Sequence, residues 1–144
     1  MDTEQVARSF LRHLEEMDLD AWIDLWAEDG RQEMPFAPEG FPREVRGKDA
    51  LYRHYSDLPN AYSKMAFPDL TVRPMRDAEW ALAEYRGEID FKAGGSYNNT
   101  YAGLFHVQDG KLKLFREYFD PNVLVDAFGG EEGFRKAFNL SEEG

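Results

Sequence analysis

The chain has 144 residues, enough for one hydrophobic core and too few for two ordinary ones. Its 17 basic and 28 acidic residues leave a net charge of -11, a surface that repels phosphate backbones and anionic lipids, so neither nucleic acid nor membrane is expected as a partner. The absence of cysteine excludes disulfides, zinc ribbons, iron–sulfur clusters and thiol nucleophiles. Three histidines without chelating spacing make a metal unexpected, and no cofactor is expected. The acidic amino terminus lacks the features of a signal peptide, no apolar run reaches spanning length, and the expected location is the cytoplasm.

In chain order, Val6, Phe10, Leu11, Leu14 and Met17 recur at three- and four-residue spacing and predict a first helix over 3–17, with Thr3 as its N-cap. A second helix is expected over 19–27, carrying Trp22 and Trp26 and stopping at Glu28-Asp29-Gly30. A short strand over 31–36 leads into a loop over 34–46 rich in proline, which supplies no ladder donor. Gly47 releases a third helix over 48–58, ended by Pro59. The pattern then changes to period two over 65–75, 78–91, 97–108 and 111–120, predicting an antiparallel meander. A short helical segment over 122–128 follows. The domain is read as 1–130, and the Gly, Glu and Ser content of 131–144 predicts a flexible tail. Helices followed by a long meander give an α+β fold, with helices on one face of a coiled sheet and a pocket between them.

Gly30, the segment from Met34-Pro-Phe-Ala-Pro to Phe41-Pro-Arg43, Gly47-Lys-Asp-Ala-Leu51, Asn99-Thr-Tyr101, Asp109-Gly-Lys-Leu112 and Arg116-Glu-Tyr-Phe-Asp-Pro121 together resemble the SnoaL-like branch of the nuclear transport factor two-like superfamily. Within it they are most similar to the phenazine-biosynthesis A/B-type proteins. The resemblance spans nearly the whole chain. It implies a conical barrel in which a curved antiparallel sheet packs on three amino-terminal helices. It also implies a homodimer through the outer sheet face and an apolar pocket. The superfamily holds ketosteroid isomerases, polyketide cyclases, dehydratases, epoxide hydrolases and non-catalytic members, so the site must decide the function.

Glu117 is the first candidate for catalysis. Phe115, Glu117 and Phe119 share one strand face, and a carboxylate between two phenylalanines on a pocket-lining face is desolvated, which raises its pKa toward the range of general acid–base work. The resemblance implies the same role, because Glu117 matches the family's proposed acid–base residue. The alternative is a solvated glutamate paired with a surface arginine or lysine. His54, beside the apolar stripe of the third helix, matches the family's pocket histidine and could exchange a proton; otherwise it is a boundary histidine. Tyr97, Asn99 and Tyr101 share a strand face and could donate to a ketone or enolate oxygen, or satisfy one another across strands. Tyr97 matches a pocket tyrosine of the family.

Two departures stand out. Trp22 occupies the place of a substrate-binding arginine and Leu58 that of a serine, which points away from the anionic phenazine substrate and toward a less polar one. Trp22, Trp26, Phe36, Phe67 and Tyr62 would suit a flat aromatic compound, or are core. Expected substrate contacts are thus Trp22, Trp26, Phe36, Leu58, Asn99, Tyr101, Phe115 and Phe119. On the third strand, Glu84, Arg86, Glu88 and Asp90 alternate with Ala81, Ala83, Tyr85, Gly87 and Ile89, and either face could line the pocket. The expected function is cofactor-independent proton transfer of isomerase, cyclase or dehydratase type on a small hydrophobic cyclic ketone in secondary metabolism. Phenazine-type condensation is its narrower variant. The rival is a non-catalytic protein of the same fold that binds a small molecule or mediates assembly.

Overall fold

The computed structural model describes residues 1–137. Helix α1 (Thr3–Glu15) is capped by Asp2, whose side chain accepts from the Gln5 N–H while Gln5 returns a bond to the Asp2 N–H, closing both orphan donors of the first turn. Thr3, the expected cap, is one residue inside, and its hydroxyl donates to the Ala78 carbonyl at 2.7 Å. Helix α2 is shorter than expected, Leu19–Asp24. Trp26 already opens strand β1 (Trp26–Glu33), because backbone pairing with β7 begins there. The loop then reaches β2 (Glu44–Arg46).

Gly47, at a φ of 90° that favours glycine, turns the chain into α3 (Lys48–Tyr55). The expected continuous helix to residue 58 is broken: Ser56-Asp57 turn the chain, and Leu58 with Pro59 starts α4 (Leu58–Ala61), since proline fits a first helical turn better than a helix interior. The single strand expected over 65–75 is also two, β3 (Tyr62–Ala66) and β4 (Thr71–Pro74). Pro68 and Asp69, the latter at a φ of 61°, separate them. Strands β5 (Trp80–Phe91), β6 (Ser96–Gln108) and β7 (Lys111–Phe119) are long and antiparallel. Helix α5 (Pro121–Ala127) follows. Of the stretch expected to be flexible, residues 131–137 belong to helix α6 (Gly130–Ala137), with Phe134 buried; residues 138–144 lie outside the described residues.

The sheet runs β2-β1-β7-β6-β5-β3, with β4 also pairing with β5. It is mixed, because β1 pairs with β7 in parallel, a contact that no meander contains. Helix α1 crosses its concave face and places Phe10 against Trp22, Trp26, Phe105 and Phe115, with ring centroids 4.6–6.0 Å apart. Glycines open space for these rings: a Cβ at Gly103 would come within 2.7 Å of the Phe115 ring, and one at Gly87 within 2.7 Å of the Tyr101 ring. Strand glycines mark such close approaches. No helix of the described residues is long and apolar enough to cross a membrane.

Candidate active site

The inner face of the sheet is best read as rows across strands. The register aligns Gln32, Phe115, Phe105 and Ala81 in one row, Glu117, Gly103 and Ala83 in the next, and Phe119, Tyr101 and Tyr85 in a third. The middle row has almost no side-chain volume beside Glu117. Above it lies a cavity of about 220 Å³ roofed by α1, α3 and α5, with Phe10, His54, Leu124 and Glu117 among its walls. That is larger than an apolar cavity of about 150 Å³ able to hold benzene and below the roughly 300 Å³ of small drug sites, so it suits a molecule of one or two rings.

The Glu117 backbone is paired with Gly103 in the sheet, but its carboxylate has no hydrogen bond or ion pair with any described residue. The surface arginine beside it, Arg116, points the other way and donates to Glu33 at 2.8 Å, so the solvated ion pair is not what forms. Glu117 is half-buried, and its enclosure by the apolar walls raises its pKa from 4.5 to about 7, because the charged form has lost much of its hydration without gaining a partner. Four tyrosines, Tyr55, Tyr85, Tyr97 and Tyr101, stand near enough for its charge to raise theirs, although burial is the larger cause for each.

Tyr97 is pushed up to about 12 and is a neutral donor at physiological pH. Its oxygen accepts from the Asn99 amide at 2.8 Å, which leaves its own proton for another acceptor. Asn99 is itself clamped. Its amide nitrogen donates to the Asp120 carbonyl at 3.0 Å, and its oxygen accepts from the Thr100 and Asp120 N–H groups. Expected as a substrate contact, Asn99 does not line the cavity; it positions Tyr97, because its hydrogen-bonding capacity is used within the protein.

His54 stands at the mouth, its outer edge in solvent and its ring 6.2 Å from Phe41 and 5.4 Å from Tyr55. Loss of hydration on the inner edge lowers its pKa. Leu58, Tyr62, Phe67, Tyr101 and Phe119 also line the cavity. Besides Asn99, four expected substrate contacts do not. Trp22, Trp26 and Phe115 are fully buried around Phe10, drawn there because α2 ends early and β1 begins at Trp26. Phe36 is 58% exposed and packs on Tyr118 at the outer face. The ambiguous strand resolves: Tyr85 and Ile89 face the cavity, while Glu84 and Arg86 are exposed. Gln32 and Tyr55 were not among the expected site residues, although alternation with Met34 and the buried stripe of α3 mark them as inward-facing. No lysine or arginine lines the cavity, and no cluster of three metal-ligating side chains occurs among the described residues.

The SnoaL-like domain model matches residues 7–115. The uncharacterized protein YesE of Bacillus subtilis is 32% identical over 128 residues, 88% of this chain and 86% of that protein. The uncharacterized PhzA/B-like protein PA3332 of Pseudomonas aeruginosa is 27% identical over 94% of this chain and 96% of its own length. A crystal structure from Bacillus subtilis, provisionally described as an isomerase, superposes with a TM-score of 0.82 at 30% identity, covering 90% of this chain and 94% of the other. With the coiled sheet, the helix-roofed cavity and these likenesses in agreement, the chain belongs to the SnoaL-like family of the nuclear transport factor two-like superfamily, in the branch that includes the phenazine-biosynthesis A/B-like proteins.

Proposed function

We propose that the protein catalyses proton transfer on a small, neutral cyclic ketone, with Glu117 as the acid–base group and no cofactor. The observation that carries this reading is a carboxylate without a partner in an apolar cavity, held near a pKa of 7 and faced by a tyrosine whose proton is free to be donated. As base, Glu117 takes the α-proton of the ketone. The electron pair left on carbon forms the enolate, whose oxygen gathers charge and is stabilised by the Tyr97 hydroxyl. In a β,γ-unsaturated ketone, return of the proton to the γ-carbon gives isomerisation; in a β-hydroxyketone, expulsion of the hydroxyl with the proton held by Glu117 gives dehydration, water leaving. Cyclisation follows when the carbanion attacks a second carbonyl of the same molecule.

The provisional isomerase description of one relative and the PhzA/B-like name of another support the class of chemistry. The absence of a cationic side chain among the described cavity walls favours a neutral substrate over the anionic one of phenazine condensation. The direct test is solvent deuterium incorporation at the α-carbons of cyclohexanone and 1,4-cyclohexanedione, followed by NMR. Incorporation should rise with pH through about 7 and then level, as the free base forms. Exchange unaffected by Glu117→Gln would remove the mechanism and leave the cavity a binding site only.

The homodimer belongs to the same reading. Half-buried Leu82, Ala102, Leu104 and Tyr118 lie on the outer sheet face and would be covered by a second copy. A sedimentation mass near 16.7 kDa at micromolar concentration would contradict it.

A further inference from the structure

Gln32 is only 1% exposed and lines the cavity, yet its hydrogen bonds account for one end of its amide alone. Its oxygen accepts the Tyr55 hydroxyl at 2.6 Å. Its amide nitrogen has no partner among the described residues, leaving two N–H donors at the cavity wall. Among the described residues, the buried side-chain atoms without a partner are those of His13, Trp22 and Trp26, so the Gln32 amide nitrogen is not sealed in the core but open to the cavity, and its oxygen end is held in place: the Tyr55 ring lies 4.3 Å from Trp22 and 5.4 Å from His54.

Its place in the sheet gives the amide a direction. Gln32 stands opposite Phe115 on β1, on one flank of Glu117, whereas Tyr97 and Tyr101 come from β6 on the other. We infer that Gln32 is the specificity-determining donor of this site, holding a second acceptor oxygen of the substrate on the β1 side of Glu117, opposite the oxygen held by Tyr97. The substrate class is then a neutral molecule of one or two rings with acceptor oxygens on both sides of the reacting carbon, such as a diketone or hydroxyketone. A carboxylate at that second position would meet Glu117 with no cation nearby to offset the repulsion. This inference rests on the proton-transfer reading for the location of the reacting carbon, but its test reads binding and not turnover.

The probes are 1,4-cyclohexanedione, with two opposed acceptors, and cyclohexanone, with one. Titrations followed by ¹⁵N NMR should show the dione binding about five- to tenfold tighter, the worth of one neutral hydrogen bond. The Gln32 side-chain amide resonance, assigned in the wild-type protein by its NOEs to the Tyr55 ring, should shift as the dione saturates the site. In Gln32→Leu the preference should fall to about one, and Tyr55→Phe, which releases the amide, should reduce it in part. An unchanged preference in Gln32→Leu, or an amide resonance that stays put at saturation, overturns the inference, and the second readout needs no variant to fold. Loss of the acid–base reading would show separately, as deuterium exchange indifferent to Glu117→Gln while the binding preference persists.

Discussion

The two ends of the concave face are built from the same strands and differ in one respect. At the closed end the inward residues are Phe105 on β6 and Phe115 on β7, packed around Phe10 with Trp22 and Trp26. A few residues along, β6 presents Tyr101 and Tyr97, β7 presents Glu117, and β5 presents Tyr85. Gly103 marks the change. On one side of it the rings are phenylalanines and tryptophans that fill space; on the other, tyrosine hydroxyls join Phe119 around a void. A core and a site are thus the same architecture, separated by the oxygen atoms on the rings and by the space left beside one carboxylate.

The sharpest way to break that contrast is at Glu117. Glu117→Gln should lower deuterium exchange by about 10²- to 10⁴-fold, the range of general acid–base catalysis, measured by NMR at pH 8. At the closed end the effect should appear in stability instead. Phe10→Ala should cost about 3–5 kcal/mol, read by urea denaturation, because it leaves a cavity among four rings. Tyr97→Phe keeps the ring and removes the donor, so exchange should fall by about 10²- to 10³-fold while the urea midpoint moves little.

The two ends should also differ in their response to pH. Between 4.5 and about 7 the folded protein keeps a proton on Glu117 that the unfolded chain has lost, so this group makes stability fall as pH rises across that window. Glu117→Gln removes the dependence. Its stability relative to wild type should therefore improve by about 3 kcal/mol from pH 4.5 to pH 8, visible in parallel denaturation curves. Smallest of all, Asn99→Ala should lower exchange by about tenfold, one lost hydrogen bond to Tyr97, and shift the pH profile less than Tyr97→Phe does.

Much of this was legible in the residues themselves. Period two along β5, β6 and β7 places Tyr97, Tyr101, Glu117 and Phe119 on inward faces, and α1 follows from its apolar spacing. What periodicity could not show was where elements break when tertiary pairing competes with local preference. Trp26 reads as the last turn of a helix because its neighbours favour one, but pairing with β7 takes it into a strand, and two tryptophans expected at the ligand enter the core. Pro59 and Pro68 signal interruption without saying whether the chain stops, turns or resumes. The parallel contact of β1 with β7 joins residues more than eighty positions apart. It is what brings Gln32 beside Glu117, and no local pattern encodes it. The helix at Gly130–Ala137 escaped notice because its composition resembles a tail, while its burial depends on a single side chain, Phe134, meeting Phe41 and Phe128.

Trp22 and Trp26 have indole N–H groups buried without a hydrogen-bond partner among the described residues, an apolar setting in which tryptophan emits at short wavelength. Trp22 also lies 4.3 Å from the ring of Tyr55, whose hydroxyl reaches the cavity wall at Gln32. Trp80, by contrast, is half-buried, stacked on His106 with centroids 4.4 Å apart, and does not line the cavity. The protein therefore carries its own optical probe: intrinsic fluorescence at the blue edge should respond to occupants of the cavity, while Trp80 supplies a background indifferent to them, so that ligand screening needs no added dye.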